Sequence, residues 1–137
     1  MAKLSSDQKT ALNWISQADY DLKAAESNLE EEFYATTCFL TQQVAEKALK
    51  GYLIFQKGKL IKEHRLLILV KECEKLNHHQ FQGIRPELEI LDKYYAPTRY
   101  ADLTDIPPYK LYDKTEAKQA IESARRILDF IKGLIIK

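Results

Sequence analysis

Apolar residues recur at steps of three and four along most of the chain, which is the spacing that lines one face of an α-helix. The pattern predicts helices over residues 6–30, 33–56 and 64–77, a fourth from residue 81 or 86 to residue 95, and a fifth over 114–136. The first helix has its apolar side chains at Ala11, Ile15, Ala18, Leu22, Ala25 and Leu29. The chain is therefore predicted to be all-α.

Residues at the ends of these stretches support their boundaries. Ser5 with Gln8 three residues later resembles a capping box, and Asp113 with Glu116 has the same spacing before the last helix. Gly58 follows the second helix, where a residue in the left-handed conformation commonly ends a helix. These signals predict where the first, second and last helices begin or end.

The lengths of the connections predict how the helices pack. Two or three residues separate the first two helices, so these two should lie antiparallel. Pro97, Pro107 and Pro108 prevent a helix between residues 96 and 112, a connection much longer than the median of about 4–6 residues. Its tyrosines and aliphatic residues should order it. We therefore expect one domain over residues 1–137, an up-down bundle of four to five helices with a long ordered loop before the last.

Composition narrows the classes of function. The chain has 137 residues, with 21 Lys and Arg against 20 Asp and Glu. This balance argues against a protein whose whole surface binds nucleic acid, although a local basic patch remains possible, and it offers little electrostatic resistance to self-association. Cys38 and Cys73 lie at apolar helical positions and are expected to be buried thiols. Without a Cys-x-x-Cys pair, no metal site or cofactor is expected.

The start of the chain has no apolar segment typical of a secretory leader, and no apolar run approaches the roughly 18 residues of a membrane span. We therefore expect a cytoplasmic protein that does not enter a membrane.

The second helix carries an unusual set of polar residues. Gln42 lies on its apolar seam, where a buried amide must find a hydrogen-bond partner because leaving it unsatisfied costs about 1–3 kcal/mol. Glu46 and Lys50 form an i,i+4 pair, and Lys47 lies beside them. Two interpretations remain open. The charged residues are either a solvated helix face or the edge of a cleft or dimer seam.

Three segments together resemble the HEPN domain family (higher eukaryote and prokaryote nucleotide-binding). The first is QQVAEKALKGYL, from Gln42 to Leu53, which resembles the signature helix of the family. The second is His64, which resembles the family's histidine at the start of the third helix. The third is YAPTRYAD, from Tyr95 to Asp102, which is similar to a Tyr-x-x-Thr-Arg-Tyr-x-Asp segment. The resemblance extends over nearly the whole chain.

The resemblance implies an all-helical bundle, commonly a homodimer, with a link to nucleotides or RNA. It also implies a partner, a minimal nucleotidyltransferase encoded beside it in a toxin–antitoxin-type pair. Other branches of the superfamily are metal-independent ribonucleases with an Arg followed by a His after four to six residues. No Arg of this chain precedes a His at that distance; the nearest pairs begin with Lys59 and Lys71. Lysine lacks the planar fork with which arginine binds phosphate, so this departure argues against nuclease activity. The chain also departs from the family at Leu40 and Ala101.

The remaining chemistry is recognition. Arg99 could bind two oxygens of a phosphate, Tyr95 and Tyr100 could stack on a base, and His64 would lie beside the free N–H groups at the start of the third helix. The alternatives are that Arg99 bonds loop carbonyls or Asp102, and that His64 is satisfied by the backbone. No catalytic residue is assigned, with His64 and Arg99 as the candidates. The predicted nucleotide- or RNA-binding residues are Lys47, Lys50, His64, Tyr95, Arg99, Tyr100 and Asp102.

Three functions therefore remain. The preferred one is a dimeric module that binds nucleotide or RNA, or that a nucleotidyltransferase partner binds. The second is a divergent ribonuclease built on His64 and Arg99. The third is a scaffold whose only task is helical dimerisation, and the intact Thr98-Arg99-Tyr100 segment argues against it.

Overall fold

The computed structural model describes residues 3–95 and 105–136, and these form an all-α bundle. The five helices are α1 (Ser6–Glu30), α2 (Tyr34–Lys57), α3 (Leu66–Phe81), α4 (Arg85–Asp92) and α5 (Lys114–Ile135). Single 3₁₀ turns occupy Gln82–Ile84 and Pro108–Lys110. The predicted fold class is confirmed, and the described residues contain no strand.

Helices α1 and α2 form an antiparallel hairpin, as predicted. At the turn, the Thr37 hydroxyl near the start of α2 donates to the carbonyl of Ala25 near the end of α1, at 3.3 Å. At the far end, a Cβ added to Gly51 would lie 3.0 Å from Ile15 Cδ1 and 3.3 Å from the carbonyl oxygen of Ala11. A side chain at position 51 would therefore push the helices apart, and glycine is what permits their close approach.

Helix α2 is the centre of the bundle, since it packs against α1, α3, α4 and α5. Apolar side chains of all five helices bury against it in one continuous core. Phe81 joins the end of α3 to this core, with edge-to-face ring contacts to Tyr52 at 5.0 Å and to Phe130 at 5.2 Å between centroids. Because this central helix is buried on several sides, its polar side chains have little contact with water. They must therefore bond to other groups of the protein.

The cap signals in the sequence are confirmed. Ser5 and Gln8 form a reciprocal capping box at the start of α1. The Asp113 carboxylate accepts the N–H of Glu116 at 2.9 Å at the start of α5. Gly58 ends α2 with a φ of 65°, in the left-handed region that only glycine adopts without strain.

The ends of α3 and α4 differ from the prediction. Helix α3 begins at Leu66 instead of residue 64, because Arg65 has extended backbone angles. It continues past the predicted stop to Phe81, although Asn77 interrupts the helical geometry with φ −158° and ψ 66°. Helix α4 ends at Asp92 instead of residue 95, because the N–H groups of Tyr94 and Tyr95 bond to carbonyls only three residues back.

The predicted long loop is only partly described, since residues 96–104 lie outside the described residues. Of the side chains expected to anchor it, Tyr112 packs edge-to-face on the fully buried Tyr94, with ring centroids 5.3 Å apart. Ile106 and Tyr109 are instead 45% and 67% exposed. Tyr109 lies beside Phe33, which is 59% exposed at the turn between α1 and α2. Phe33 and Tyr109 thus form an exposed apolar surface at the turn between α1 and α2.

The described residues contain neither a membrane-spanning helix nor a metal-binding cluster. No helix there combines the length and the apolar character that crossing a bilayer requires. No three His, Cys, Asp or Glu side chains there lie close enough together to hold a metal ion.

Cys38 and Cys73 should be inert in the folded protein. Both side chains are fully buried, and burial raises the pKa of Cys38 to about 12 and raises the pKa of Cys73 further above its ordinary value. Because the thiolate is the reacting species, we expect neither thiol to react with Ellman's reagent at pH 8 in the native protein, and both to react in denaturant. Stoichiometric reaction within minutes under native conditions would contradict the buried placement.

Candidate functional site

The polar residues of α2 point into the bundle, towards α1 and the segment that precedes α3. Glu46 is 6% exposed and Lys50 is 5% exposed, so the interpretation of these residues as a solvated helix face is wrong. Lys47 is the more accessible of the two lysines, with 23% of its side chain exposed. The helix therefore carries an ion pair between buried groups along the edge of the bundle.

The Glu46 carboxylate is the centre of this cluster. Its Oε2 accepts a hydrogen bond from Lys50 Nζ at 3.0 Å and lies 3.1 Å from His64 Nδ1. Its Oε1 accepts from Gln42 Nε2 at 3.3 Å. A buried charge is tolerated only when it is paired and hydrogen-bonded, and the three partners of Glu46 meet that condition.

Gln42 is fully buried and satisfied, as the seam position predicted. Its Nε2 also donates to the carbonyl oxygen of His64 at 3.0 Å, and its Oε1 accepts from Gln43 Nε2 at 2.8 Å. The side chain therefore ties the segment before α3 to the middle of α2, and this sets the position of His64.

The His64 ring lies at the edge of the cluster, with 52% of its side chain exposed. It stacks on the ring of Tyr95, with centroids 5.5 Å apart and planes 10° from parallel. The structure therefore brings together two of the residues that the sequence indicated. The alternative for His64 was a residue whose polar groups bond only to the backbone. The His64 ring instead contacts the Glu46 side chain.

The anion site expected at the start of α3 is largely filled by the protein's own carboxylates. Glu63 Oε1 accepts the N–H groups of His64 at 2.9 Å and Arg65 at 3.0 Å. These two bonds are the main reason that the pKa of Glu63 is lowered. Asp92 Oδ1 accepts the N–H of Leu66 at 2.7 Å. An incoming anion would therefore have to displace a carboxylate at this helix end.

Asp92 connects the end of α4 to the start of α3. It is 5% exposed, and its Oδ2 accepts from Arg65 Nη2 at 3.0 Å while its Oδ1 lies 3.4 Å from Arg65 Nε. This two-pronged contact raises the pKa of Arg65. Asp92 therefore joins the start of α3, next to His64, to the end of α4, three residues before Tyr95.

A second part of the cluster faces α1. Lys47 Nζ forms an ion pair with Asp21, which is 6% exposed and also accepts from Gln17 Nε2 at 3.0 Å. Lys50 Nζ lies 5.9 Å from the centroid of the Trp14 ring. Both lysines named as ligand-binding candidates are therefore already paired with carboxylates.

A shallow cavity opens beside this part of the cluster. It has a volume of about 250 Å³ and is lined by Asn13, Trp14, Gln17 and Lys47. It lies on the outer side of the contact between α1 and α2.

Sequence reasoning missed Asp21, Trp14 and Asp92 as parts of the site. The position of Asp21 in the sequence could have indicated that it is buried, because it is a charged residue next to Leu22 on the apolar stripe of α1. Nothing in the local sequence indicates the role of Asp92, since its partners lie 26 and 27 residues earlier in the chain. Arg99, Tyr100 and Asp102 lie outside the described residues, so their roles stay predictions.

Comparison with known proteins identifies the family. The HEPN domain model matches residues 11–134. A crystal structure of TT1696 from Thermus thermophilus is 34% identical, with a TM-score of 0.76 over 90% of this chain and 96% of that one. The structure of ST0689, described as an archaeal HEPN homologue, is 37% identical, with a TM-score of 0.74 over 91% and 97%. A Methanocaldococcus jannaschii protein named "Putative toxin MJ1304" is 26% identical over 93% of this chain and 89% of its own length. The chain belongs to the HEPN domain family.

Proposed function

We propose that this chain is a HEPN module that binds single-stranded RNA or nucleotides at the face where His64 and Tyr95 stack. We further propose that it works with a minimal nucleotidyltransferase in a toxin–antitoxin-type pair. The observation that carries the first proposal is the stack of the half-exposed His64 ring on Tyr95, in which His64 is held by the buried carboxylate of Glu46.

Stacking is the interaction this face is best equipped to make. A base that stacks on an aromatic side chain contributes about 1–3 kcal/mol regardless of its sequence. Glu46 holds the His64 ring in place before any ligand arrives, so little side-chain freedom would be lost on binding. Lys47 and Lys50 are paired with carboxylates, so the phosphate contact is assigned to Arg99, four residues after Tyr95 in sequence.

The binding proposal is tested by fluorescence anisotropy of a labelled single-stranded RNA, and by thermal unfolding with ATP or AMP. We expect wild-type protein to bind and His64→Ala and Tyr95→Ala each to bind about 5- to 150-fold more weakly, as loss of one stacking contact implies. His79→Ala, at an exposed histidine near the end of α3, is the matched control and should bind normally. Wild-type affinity in both test variants, or no binding by wild type, would contradict the proposal.

A divergent ribonuclease is the second candidate, and one observation favours it. Glu46 holds Nδ1 of His64 at 3.1 Å, so Nε2 is the ring nitrogen that remains for proton transfer. Metal-independent activity would appear as RNA cleavage in the presence of EDTA that is lost in His64→Ala protein of wild-type stability. Intact RNA after incubation with a large excess of wild-type protein would contradict ribonuclease activity. Binding would then be the only proposed function.

The proposed partners are a second copy of the chain and a small nucleotidyltransferase. The toxin name of the Methanocaldococcus jannaschii relative supports the pairing, and the exposed apolar surface of Phe33 and Tyr109 supports self-association. Light scattering should give twice the 15.9 kDa of one chain. Affinity purification from the native cells should recover a nucleotidyltransferase, and a monomeric protein that recovers none would contradict both.

A further inference from the structure

We propose that the cavity beside Trp14 is a second base-binding site, which takes one nucleobase of the RNA strand that stacks on His64 and Tyr95. This inference rests on the proposed binding function and adds a separate location to it. Four features of the cavity carry it: its size, its polar edge, its local charge and its connection to the first site.

The size of the cavity suits one ring system. Its volume of about 250 Å³ falls below the roughly 300–1,000 Å³ of pockets that enclose drug-sized ligands. The partly buried indole of Trp14 supplies a flat apolar surface, and Lys47 also lines the cavity. A planar group that enters this space would stack on the indole, while any sugar and phosphate attached to it would stay outside.

The rim of the cavity carries amide groups that match the edge of a base. Gln17 donates Nε2 to Asp21, which leaves its amide oxygen as an acceptor. The Asn13 side chain makes no hydrogen bond within the described residues, so both its donor and its acceptor are available. Asn and Gln side chains pair with the donors and acceptors at base edges, so a heteroaromatic base fits this rim better than a purely apolar ring.

The charges around the cavity favour a neutral ligand over an anion. Lys47 is paired with Asp21, and Lys50 is paired with Glu46 at 3.0 Å. Each positive charge is therefore compensated within the cluster, and a phosphate would have to compete with a buried carboxylate for either lysine. The cavity is accordingly assigned to the base instead of the backbone of the nucleotide.

The buried ion pair connects this cavity to the ring pair of the first site. Lys50 Nζ lies 5.9 Å from the centroid of the Trp14 ring and 3.0 Å from Glu46 Oε2. The same Glu46 oxygen lies 3.1 Å from His64 Nδ1. The two aromatic surfaces are thus linked through Lys50 and Glu46, by a cation–π contact at Trp14 and by hydrogen bonds from Lys50 to Glu46 and between Glu46 and His64. Proteins that bind single strands without sequence preference use such successive stacking surfaces.

Trp14 is the only tryptophan of the chain, so its fluorescence reports on this cavity directly. Titration with a short unlabelled oligoadenylate should quench it, with the same Kd that anisotropy gives. Trp14→Leu should bind the RNA about 5- to 150-fold more weakly, and Trp14→Phe should restore most of the affinity. Tyr20→Leu, at a residue that is 68% exposed on the same helix, is the matched control and should bind normally.

The salt dependence separates a base contact from a phosphate contact. The slope of log Kd against log salt counts the phosphates that the protein neutralises. We therefore expect Trp14→Leu to weaken binding equally at all salt concentrations and to leave this slope unchanged. RNA binding with unchanged Trp14 fluorescence and a normal Trp14→Leu affinity would overturn this inference while the proposed function stands. If wild-type protein bound no RNA in the anisotropy assay, the result would contradict both the Trp14 base site and the proposed binding function.

Discussion

Replacing Glu46 with alanine is expected to lower the free energy of unfolding by about 3–5 kcal/mol, because the change leaves the Lys50 ammonium buried without its partner. The Lys50 side chain is only 6% exposed and that of Glu46 only 7%, so water cannot compensate the lost contact. The same change removes the acceptor of the His64 ring. Urea unfolding, followed by circular dichroism, measures the loss.

The matched variants test the reason for this loss. Glu46→Leu combined with Lys50→Met removes both charges and should recover most of the stability, since an apolar pair of similar volume replaces a buried ion pair at little cost. Glu122→Ala, on an exposed residue of α5, should stay within about 0.5 kcal/mol of wild type. If Glu46→Ala were as stable as wild type, Lys50 would not be trapped in the bundle.

Replacing Asp92 with alanine is expected to cost about 2–3 kcal/mol, because hydrogen bonds to a buried charged group are among the stronger ones and the Leu66 N–H would lose its acceptor. Arg65 would lose its carboxylate partner in the same step. Because Asp92 holds the start of α3 against the end of α4, the distance between His64 and Tyr95 should also become variable. The same unfolding experiment measures the first effect, and RNA affinity measures the second.

Two comparisons separate these effects at Asp92. Asp92→Asn keeps an oxygen to accept the Leu66 N–H, so it should lose less stability than Asp92→Ala. Asp129→Ala, at an exposed position of α5, should be neutral. A full loss of stability in Asp92→Asn would mean that the ion pair to Arg65 matters more than the helix cap.

The helices could be predicted from the sequence wherever local signals agree. Helix α1 runs over the predicted residues because its apolar period and its capping box mark the same start. The ends of helix α3 could not be predicted from local signals. Its first turn depends on Glu63 and on Asp92, which is distant in sequence, and its extension past Asn77 depends on the burial of Phe81.

For the candidate site, the sequence indicates His64 and Tyr95, which the structure brings together, but not Asp21, Trp14 or Asp92. Gln42 was expected to be buried and bonded, because a polar residue on an apolar seam allows little else. The burial of Lys50 is not evident from the sequence, since an i,i+4 pair with Glu46 has the same spacing whether the helix face is exposed to solvent or buried. The stack of His64 on Tyr95 joins residues 31 positions apart, and only the packing of α3 against α4 determines it.

The two buried thiols make the chain a convenient host for site-specific labels. Because Cys38 and Cys73 stay protonated and covered in the folded state, a maleimide dye or a nitroxide should attach only to a cysteine introduced at an exposed position. The native cysteines would not have to be replaced, so the core would keep its packing. One label on Lys110→Cys and another on Tyr20→Cys would then report distances across the bundle as RNA or a partner protein binds.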